Sequence, residues 1–399
     1  MKKKKKKIVL AYSGGLDTSF CIAYLNDHDF EVHAVSIDTY GEFDSETEGN
    51  LKKRALDLGA TSFVKLKALS HFYDNIIRFL IFGNVLKNNS YPLSVSAERI
   101  TQAFFLQSHA KKIGAKYIAH GCTGAGNDQI RFDTAFQILA PELKIIAPIR
   151  ATNFSRKDEI NFLKSKGVDL LWKKAQYSVN EGLWGTTIGG SQTLTSHQPL
   201  PEEAFSKMDP HKEPQELELS FEKGELTAIN GSKKEPYELI MGLNNLCRDY
   251  GIGRDIHVGD TILGIKGRVG FEAGGPLLLI KAHHLLEKHT LSKWQLFQKD
   301  QLSQFYGMMI HEGNYWDPVN RDIEAFLIQS QRFVTGKVFC KLQPKQFDLQ
   351  GIKSKHDLMK HCMGAYGEKN LGWTATDSKG FINITSLSNK IHQKINHRS

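Results

Sequence analysis

Residues 11–19, AYSGGLDTS, combine the groups needed to hold a polyphosphate. Gly14 and Gly15 let the backbone turn sharply and approach an anion without a Cβ in the way. The hydroxyls of Ser13, Thr18 and Ser19 can donate to phosphate oxygens, as can the free amides of a helix start. A helix N-terminus adds about half a positive charge. Asp17 adds a carboxylate to the start of the following helix. The pattern G-x-x-x-x-G-K-[ST] is absent, so this is not a Walker loop.

The elements around the loop must place it at the end of a sheet. KIVLAYS (7–13) is a short apolar run with β-branched residues that stops at glycines, which predicts a buried parallel strand. Residues 17–26 open with Asp, Thr and Ser and continue with helical apolar spacing. Further strands are predicted at 30–38, 62–68, 116–121 and 144–149. Helices are predicted at 51–60, 97–115 and 155–168. This β-α-β alternation predicts an α/β fold with a doubly wound parallel sheet. In such sheets ligands bind beyond the carboxyl ends of the strands, where SGGLD lies. Residues 177–213 are loop-rich and read as a boundary and binding region. ELELSFEKGELTAING (216–231) alternates around a Lys-Gly turn and predicts a hairpin. The tail, 366–399, ends in an amphipathic stretch.

Composition excludes several classes. A chain of 399 residues with 40% hydrophobic residues has room for two or three domains and a large core. The formal charge of +9 includes the run Lys2–Lys7, and the remainder is close to balance, so no nucleic-acid partner is expected. The cysteines at 21, 122, 247, 340 and 362 form no C-x-x-C pair, which argues against a zinc site, a disulfide framework or sulfur transfer. Scattered thiols suit a reducing, cytoplasmic setting. No apolar run is long enough to span a membrane, so no membrane partner is expected. The histidines at 283, 284 and 289 read as ordinary helix residues rather than metal ligands.

The loop resembles the PP-loop of the ATP pyrophosphatase superfamily, whose members cleave ATP between the α and β phosphates. Within that superfamily, AYSGGLDTS resembles the argininosuccinate synthase form. So does HGCTGAGNDQIRF (120–132), which falls at a predicted strand end. GIKGR (264–268), SQRFVTGKV (330–338) and ATDSKGFINITSL (375–387) extend the resemblance over nearly the whole chain. It implies a nucleotide-binding domain over 1–170, an α+β synthetase domain over 171–365 and a C-terminal oligomerisation arm over 366–399. It also implies ATP and Mg2+, a homotetramer, and ligation of citrulline to aspartate through citrullyl-AMP in arginine synthesis.

Carried over residue by residue, the resemblance places Ala11, Tyr12, Ser13, Gly14, Gly15, Leu16, Asp17, Thr18 and Ser19 around ATP, with Ile37 and Gly121. Thr123, Asn127 and Asp128 match aspartate-binding positions, Asp128 being suited to an ammonium. Asn127 and Arg131 match citrulline contacts, and Arg131 is suited to a carboxylate through a bidentate fork. Tyr91, Ser96 and Ser178 match further citrulline positions, and Thr187 stands where the family commonly has Ser. Ser13, Asp17 and Asp128 are the expected catalytic residues. Catalysis is expected to be mostly positioning and charge stabilisation.

Three departures stand out. Ala125 replaces the usual Lys of T-G-K-G-N-D, so another cation or magnesium is needed near the phosphates. Aligning on GIKGR places Gly259 where the family has a citrulline-binding Glu, and Phe271 at a citrulline-binding Tyr. Asp260 and Glu272 are one residue away and could substitute. Alternatively the acceptor is an N-acylated citrulline, which carries no ammonium. Another AMP-forming PP-loop enzyme, such as a tRNA-modifying ligase, is a further alternative.

Overall fold

A computed structural model describes residues 5–41, 45–168, 177–360, 366–368 and 371–396. Lys2–Lys4, Cys362 and the domain boundaries expected at 170/171 and 365/366 lie partly or wholly outside the described residues. The first unit is a five-stranded parallel sheet in the order β3-β2-β1-β4-β5. Its strands are β1 (Lys6–Ala11), β2 (Phe30–Asp38), β3 (Ser62–Lys67), β4 (Tyr117–Ala119) and β5 (Lys144–Ile146).

The period of two along β1 explains why the sheet is covered on both faces. Ile8 and Leu10 pack with Phe20, Ile22 and Leu25 of α1 (Leu16–Asp27). Between them, Val9 faces the other way and packs with Leu106 of α3 (Ser94–Lys112) and Phe132 and Phe136 of α4 (Asp128–Leu139). All three β1 residues are fully buried. Helix α2 (Ser45–Asp57) begins earlier than its apolar spacing predicts, with Glu46 and Glu48 in a first turn that favours acids. The strand predicted over 144–149 stops at Ile146 because Pro148 opens a short helical turn, where its fixed φ fits. Helix α5 (Arg156–Ser165) is closed at its start by a reciprocal Ser155–Asp158 capping box.

Two antiparallel sheets follow. One has the order β11-β12-β7-β6, from β6 (Ser178–Asn180), β7 (Thr186–Gly189), β11 (Arg254–Asp260) and β12 (Lys266–Glu272). The other has the order β10-β9-β8-β13-β14, from β8 (Gln215–Glu222), β9 (Glu225–Ile229), β10 (Ser232–Lys233), β13 (Gly336–Gln343) and β14 (Gln346–Lys353). The predicted Lys-Gly hairpin is present: Lys223 and Gly224 take φ of 48° and 81°, as a tight two-residue turn requires. Leu217, Leu219, Val338 and Leu342 of β8 and β13 share a core with α6 (Pro236–Asp249) and α7 (Gly274–Thr290). Helices α8 (Lys293–Glu312) and α9 (Pro318–Ser330) complete this unit.

The chain ends in α10 (Ala375–Thr385) and α11 (Leu387–Asn396), in which no described residue is buried. Phe381, Ile384, Leu387, Ile391 and Ile395 are all exposed. No helix among the described residues is long and apolar enough to cross a membrane.

Candidate active site

The glycine loop joins β1 to α1 at the carboxyl edge of the parallel sheet. Gly14 has a φ of +80°, which L side chains rarely adopt, and an added Cβ would run into Leu51 of α2. Its carbonyl accepts a hydrogen bond from Arg54 Nη1 at 2.7 Å. Hydroxyls brace the loop from inside. Ser13 Oγ and Thr18 Oγ1 lie 3.3 Å apart, and Thr18 Oγ1 donates to the Gly15 carbonyl at 3.3 Å. The helix starts at Leu16, one residue before the predicted start, because Thr18 bonds back to Gly15 rather than capping from outside. Gly15 is the N-cap and supplies no side-chain acceptor. The first-turn residues Leu16, Asp17 and Thr18 all line the cavity described next.

That cavity, of about 800 Å³, brings together most of the residues expected at the nucleotide. Ala11, Tyr12, Ser13 and Gly15 line it with the first turn of α1, and Ile37 and Gly121 lie on its wall. Gly121, two residues past the end of β4, lies tightly against the loop: an added Cβ would sit 3.3 Å from Thr18 Cγ2 and 3.4 Å from the Asp17 carbonyl carbon. Gly14 shapes the loop from behind. Ser19 is different. It is fully buried on the inner face of α1, a turn beyond the loop, and outside the cavity lining, so its hydroxyl is not offered to a phosphate.

Asp128 and Ser178 line the same cavity. Asp128 opens α4, and two guanidiniums grip it: Arg99 Nε at 2.8 Å and Arg131 Nη1 at 2.7 Å. These bonds hold its carboxyl down at about 2 despite burial. Arg131 is turned inward, donating through Nε to the His311 carbonyl at 2.8 Å, with Nη2 3.3 Å from His311 Nδ1. It is 5% exposed, and its fork is closed on Asp128 and His311. Asn127 Oδ1 accepts from the Ile262 amide at 2.9 Å, tying the β4–α4 loop to the β11–β12 turn. Thr123 is exposed on that loop.

Tyr91 is buried, receives a hydrogen bond from Ser94 at 3.0 Å, and stacks on His257 with centroids 4.9 Å apart. Ser96 is 4% exposed and donates to the Leu93 carbonyl at 3.0 Å. Leu93, fully buried, has a φ of 65°, a strained conformation for a leucine at the start of α3. Thr187 pairs with Phe271 and Asn180 in the small sheet.

Sequence reasoning missed several residues of the cavity. Arg99 and Glu98 stand on α3, one turn from Ser96, inside what reads as plain helix. Arg156 at the start of α5 and Tyr40, Asn180 and Glu181 also line the cavity. Only the charge of Arg99 beside YPLSVS offers a sequence signal. The expected substitutes at the far end are otherwise engaged. Asp260 is 64% exposed and pairs with Lys266 at 2.7 Å. Glu272 is 7% exposed, pairs with Arg254 at 3.0 Å and accepts from the Ser206 amide.

Burial raises the pKa of two acids here. Burial pushes the Glu98 carboxyl up to about 8, with Arg99 pulling the other way. Burial and the neighbouring Asp17 push Glu159 of α5 up to about 8 as well. For Glu98 the folded value exceeds the ordinary 4.5, so its contribution to stability is complete below pH 4.5 and is lost as pH rises toward 8. Glu98→Gln removes that dependence. Its melting temperature is expected to match the parent at pH 4.5 and exceed it at pH 8, as read by scanning fluorimetry.

With this geometry in place, the comparison with known proteins is direct. The family model described as the arginosuccinate synthase N-terminal HUP domain matches residues 7–169, and the arginosuccinate synthase C-terminal domain matches 177–392. The chain belongs to the argininosuccinate synthase family. The argininosuccinate synthase of Dictyoglomus thermophilum is 35% identical over 393 residues, covering 98% of each chain. That of Methanocaldococcus jannaschii is 37% identical, covering 91% of this chain and 92% of its own. The Xanthomonas campestris protein is 35% identical, covering 98% and 99%. The known reaction of this family is the ligation of citrulline and aspartate in arginine biosynthesis, and this chain is an enzyme of that type.

Proposed function

We propose that the cavity holds ATP and both amino acids, with the nucleotide unit at 1–170 and the synthetase unit at 171–365 each supplying one wall. The supporting observation is that Ser13, Thr18 and Asp128 of the first unit line one space with Ser178, Asn180 and Glu181 of the second. The ureido oxygen of the acceptor attacks the α-phosphate, and the bond to the leaving pyrophosphate breaks. Aspartate nitrogen then displaces AMP at the activated carbon. The Ser13 hydroxyl and the first amides of α1 hold the pyrophosphate. Arg156 stands in for the lysine that Ala125 replaces. Tyr91, Ser96, Asn127, Arg131, Ser178 and Thr187 surround the acceptor, and Thr123, Asn127 and Asp128 receive aspartate.

Asp17 on the cavity wall suits Mg2+, a hard ion that keeps most of its shell from phosphate and water and takes one or two carboxylates. No group of three or more His, Cys, Asp or Glu able to hold a metal occurs among the described residues. Bound there, the ion would neutralise phosphate charge.

Pyrophosphate release from Mg·ATP tests the reading. Release should require a ureido amino acid, and aspartate should convert the adenylate to AMP and an argininosuccinate. Release independent of any ureido compound would overturn it.

We also propose a cytoplasmic homotetramer held by the C-terminal arm. The exposed apolar residues of α10 and α11 have no cover from their own chain among the described residues. Deleting residues 371–399 is expected to lower the mass seen by light scattering. An unchanged tetramer would remove the arm from the interface.

A further inference from the structure

The cluster around Arg131, which bonds the cavity-lining Asp128, is rich in hydrogen-bond donors and poor in free carboxylates. Lys87, Arg131, His257 and His311 lie close enough to influence one another's charge. Arg131 has only donors, so the His311 Nδ1 facing its Nη2 at 3.3 Å must accept. The proton of neutral His311 is then on Nε2, which is buried and has no partner. His311 is 8% exposed, so this N–H needs an acceptor from elsewhere. His257, 7% exposed and stacked on Tyr91, likewise has an unpartnered Nδ1.

A substrate ammonium bound here would need an acid. Asp128, already accepting from Arg99 and Arg131, is the acid assigned above to the aspartate ammonium. Glu272 is held by Arg254, and Asp260 by Lys266. Glu98 pairs through Oε2 with Arg99 at 3.8 Å, and its Oε1 sits against Gly182. Glu312 has Lys87 as its neighbouring cation. The space beside Gly259 is filled: an added Cβ would sit 2.7 Å from His257 Nε2 and 3.4 Å from Asn88 Nδ2. Phe271 is fully buried against Tyr91 and offers no hydroxyl.

We infer that the acceptor is a citrulline whose α-nitrogen is acylated, the acyl oxygen taking the hydrogen bond that His311 Nε2 offers. This rests on the ligase reading above and names its substrate class. An amide nitrogen carries no charge, so it needs no acid and is not repelled by Lys87 and Arg131. The carbonyl supplies the missing acceptor. The acyl amide is untouched in both steps: the ureido oxygen still takes AMP, pyrophosphate still leaves, and aspartate nitrogen still displaces AMP. If the acyl group ends in a second carboxylate, Lys87 is its partner.

The test compares kcat/KM for citrulline, Nα-acetylcitrulline and Nα-succinylcitrulline, with Mg·ATP and aspartate, by pyrophosphate release. An acylated substrate should be preferred about tenfold or more, the size of one hydrogen bond that would otherwise go unmade. Its product, read by mass, should keep the acyl group. Equal use of acetyl and succinyl compounds assigns the contact to the carbonyl. A succinyl preference lost in Lys87→Met assigns a second contact to the lysine. Equal or better use of free citrulline overturns the inference and leaves the ligase intact. No release with any of the three overturns both.

Discussion

Asp128→Ala is expected to lower kcat/KM for aspartate and for the ureido acceptor by about a thousandfold, equivalent to ~4 kcal/mol of transition-state stabilisation. The size follows from what the carboxylate does. It takes Arg99 at 2.8 Å and Arg131 at 2.7 Å, and it stays ionised because both guanidiniums favour the charged form. Removing it leaves Arg99 with only Glu98 and Gln102 and Arg131 with only His311, and truncating one partner of a hydrogen-bonded charge pair costs about 2–5 kcal/mol. Two losses then coincide: the group proposed to meet the aspartate ammonium, and the anchor that orients Arg131. Asp128→Asn keeps the shape and loses the charge, so it should fall between the parent and the alanine variant. Initial-rate kinetics on each substrate in turn would show this. A loss confined to the KM for ATP would contradict the assignment.

The second large effect concerns stability, far from the chemistry. Lys299 of α8 and Glu287 of α7 are both fully buried and lie 2.9 Å apart. Lys299 also donates to the Phe82 carbonyl at 3.0 Å. Glu287 accepts from Asn84 Nδ2 at 2.6 Å and Gln331 Nε2 at 2.8 Å, and His283 bonds to both amides. Every charge in this network is answered. Lys299→Ala leaves a buried carboxylate without its cation and is expected to cost about 3–5 kcal/mol in chemical denaturation. Adding Glu287→Gln should restore part of that loss, because the two changes act on one interaction. A Lys299→Ala cost below ~1 kcal/mol would mean that water reaches the pair. The network also accounts for His283 as a core histidine: burial lowers its pKa, while both ring nitrogens face amide oxygens of the network.

The phosphate loop was legible because its requirements are local. A strand end, two glycines and a helix start are consecutive residues, and backbone sterics decide their conformation. Ser19 shows the limit of that reading. Its type suits a phosphate, but helical rotation turns it into the core. The short β4 and β5 were readable only approximately, since three-residue strands carry little periodicity.

Arg99 and Glu98 mark a second kind of limit. Both sit on a long amphipathic helix, and nothing in their neighbours distinguishes them from ordinary surface charges. Their role comes from packing beside Asp128, Gly182 and the cavity. Gly259 and Phe271 show a third. The sequence raised Asp260 and Glu272 as substitutes, but a shift of one residue in a strand reverses the side chain's face. Asp260 is therefore spent on Lys266 at the hairpin's end, and Glu272 on Arg254.

By itself, then, the sequence determined the parallel α/β unit, the loop that cradles a polyphosphate and the family to which the chain belongs. Those depend on period, glycine placement and contiguous motifs, all of which are written along the chain. Only the tertiary structure decided how the far end of the site is charged. Lys87, Arg131, His257 and His311 come from four separate stretches, and whether an acid remains free among them depends on which neighbours each carboxylate meets. Contact across the fold, rather than residue type, sets that balance, because a charge's pairing depends on distances of a few ångströms that no local pattern specifies.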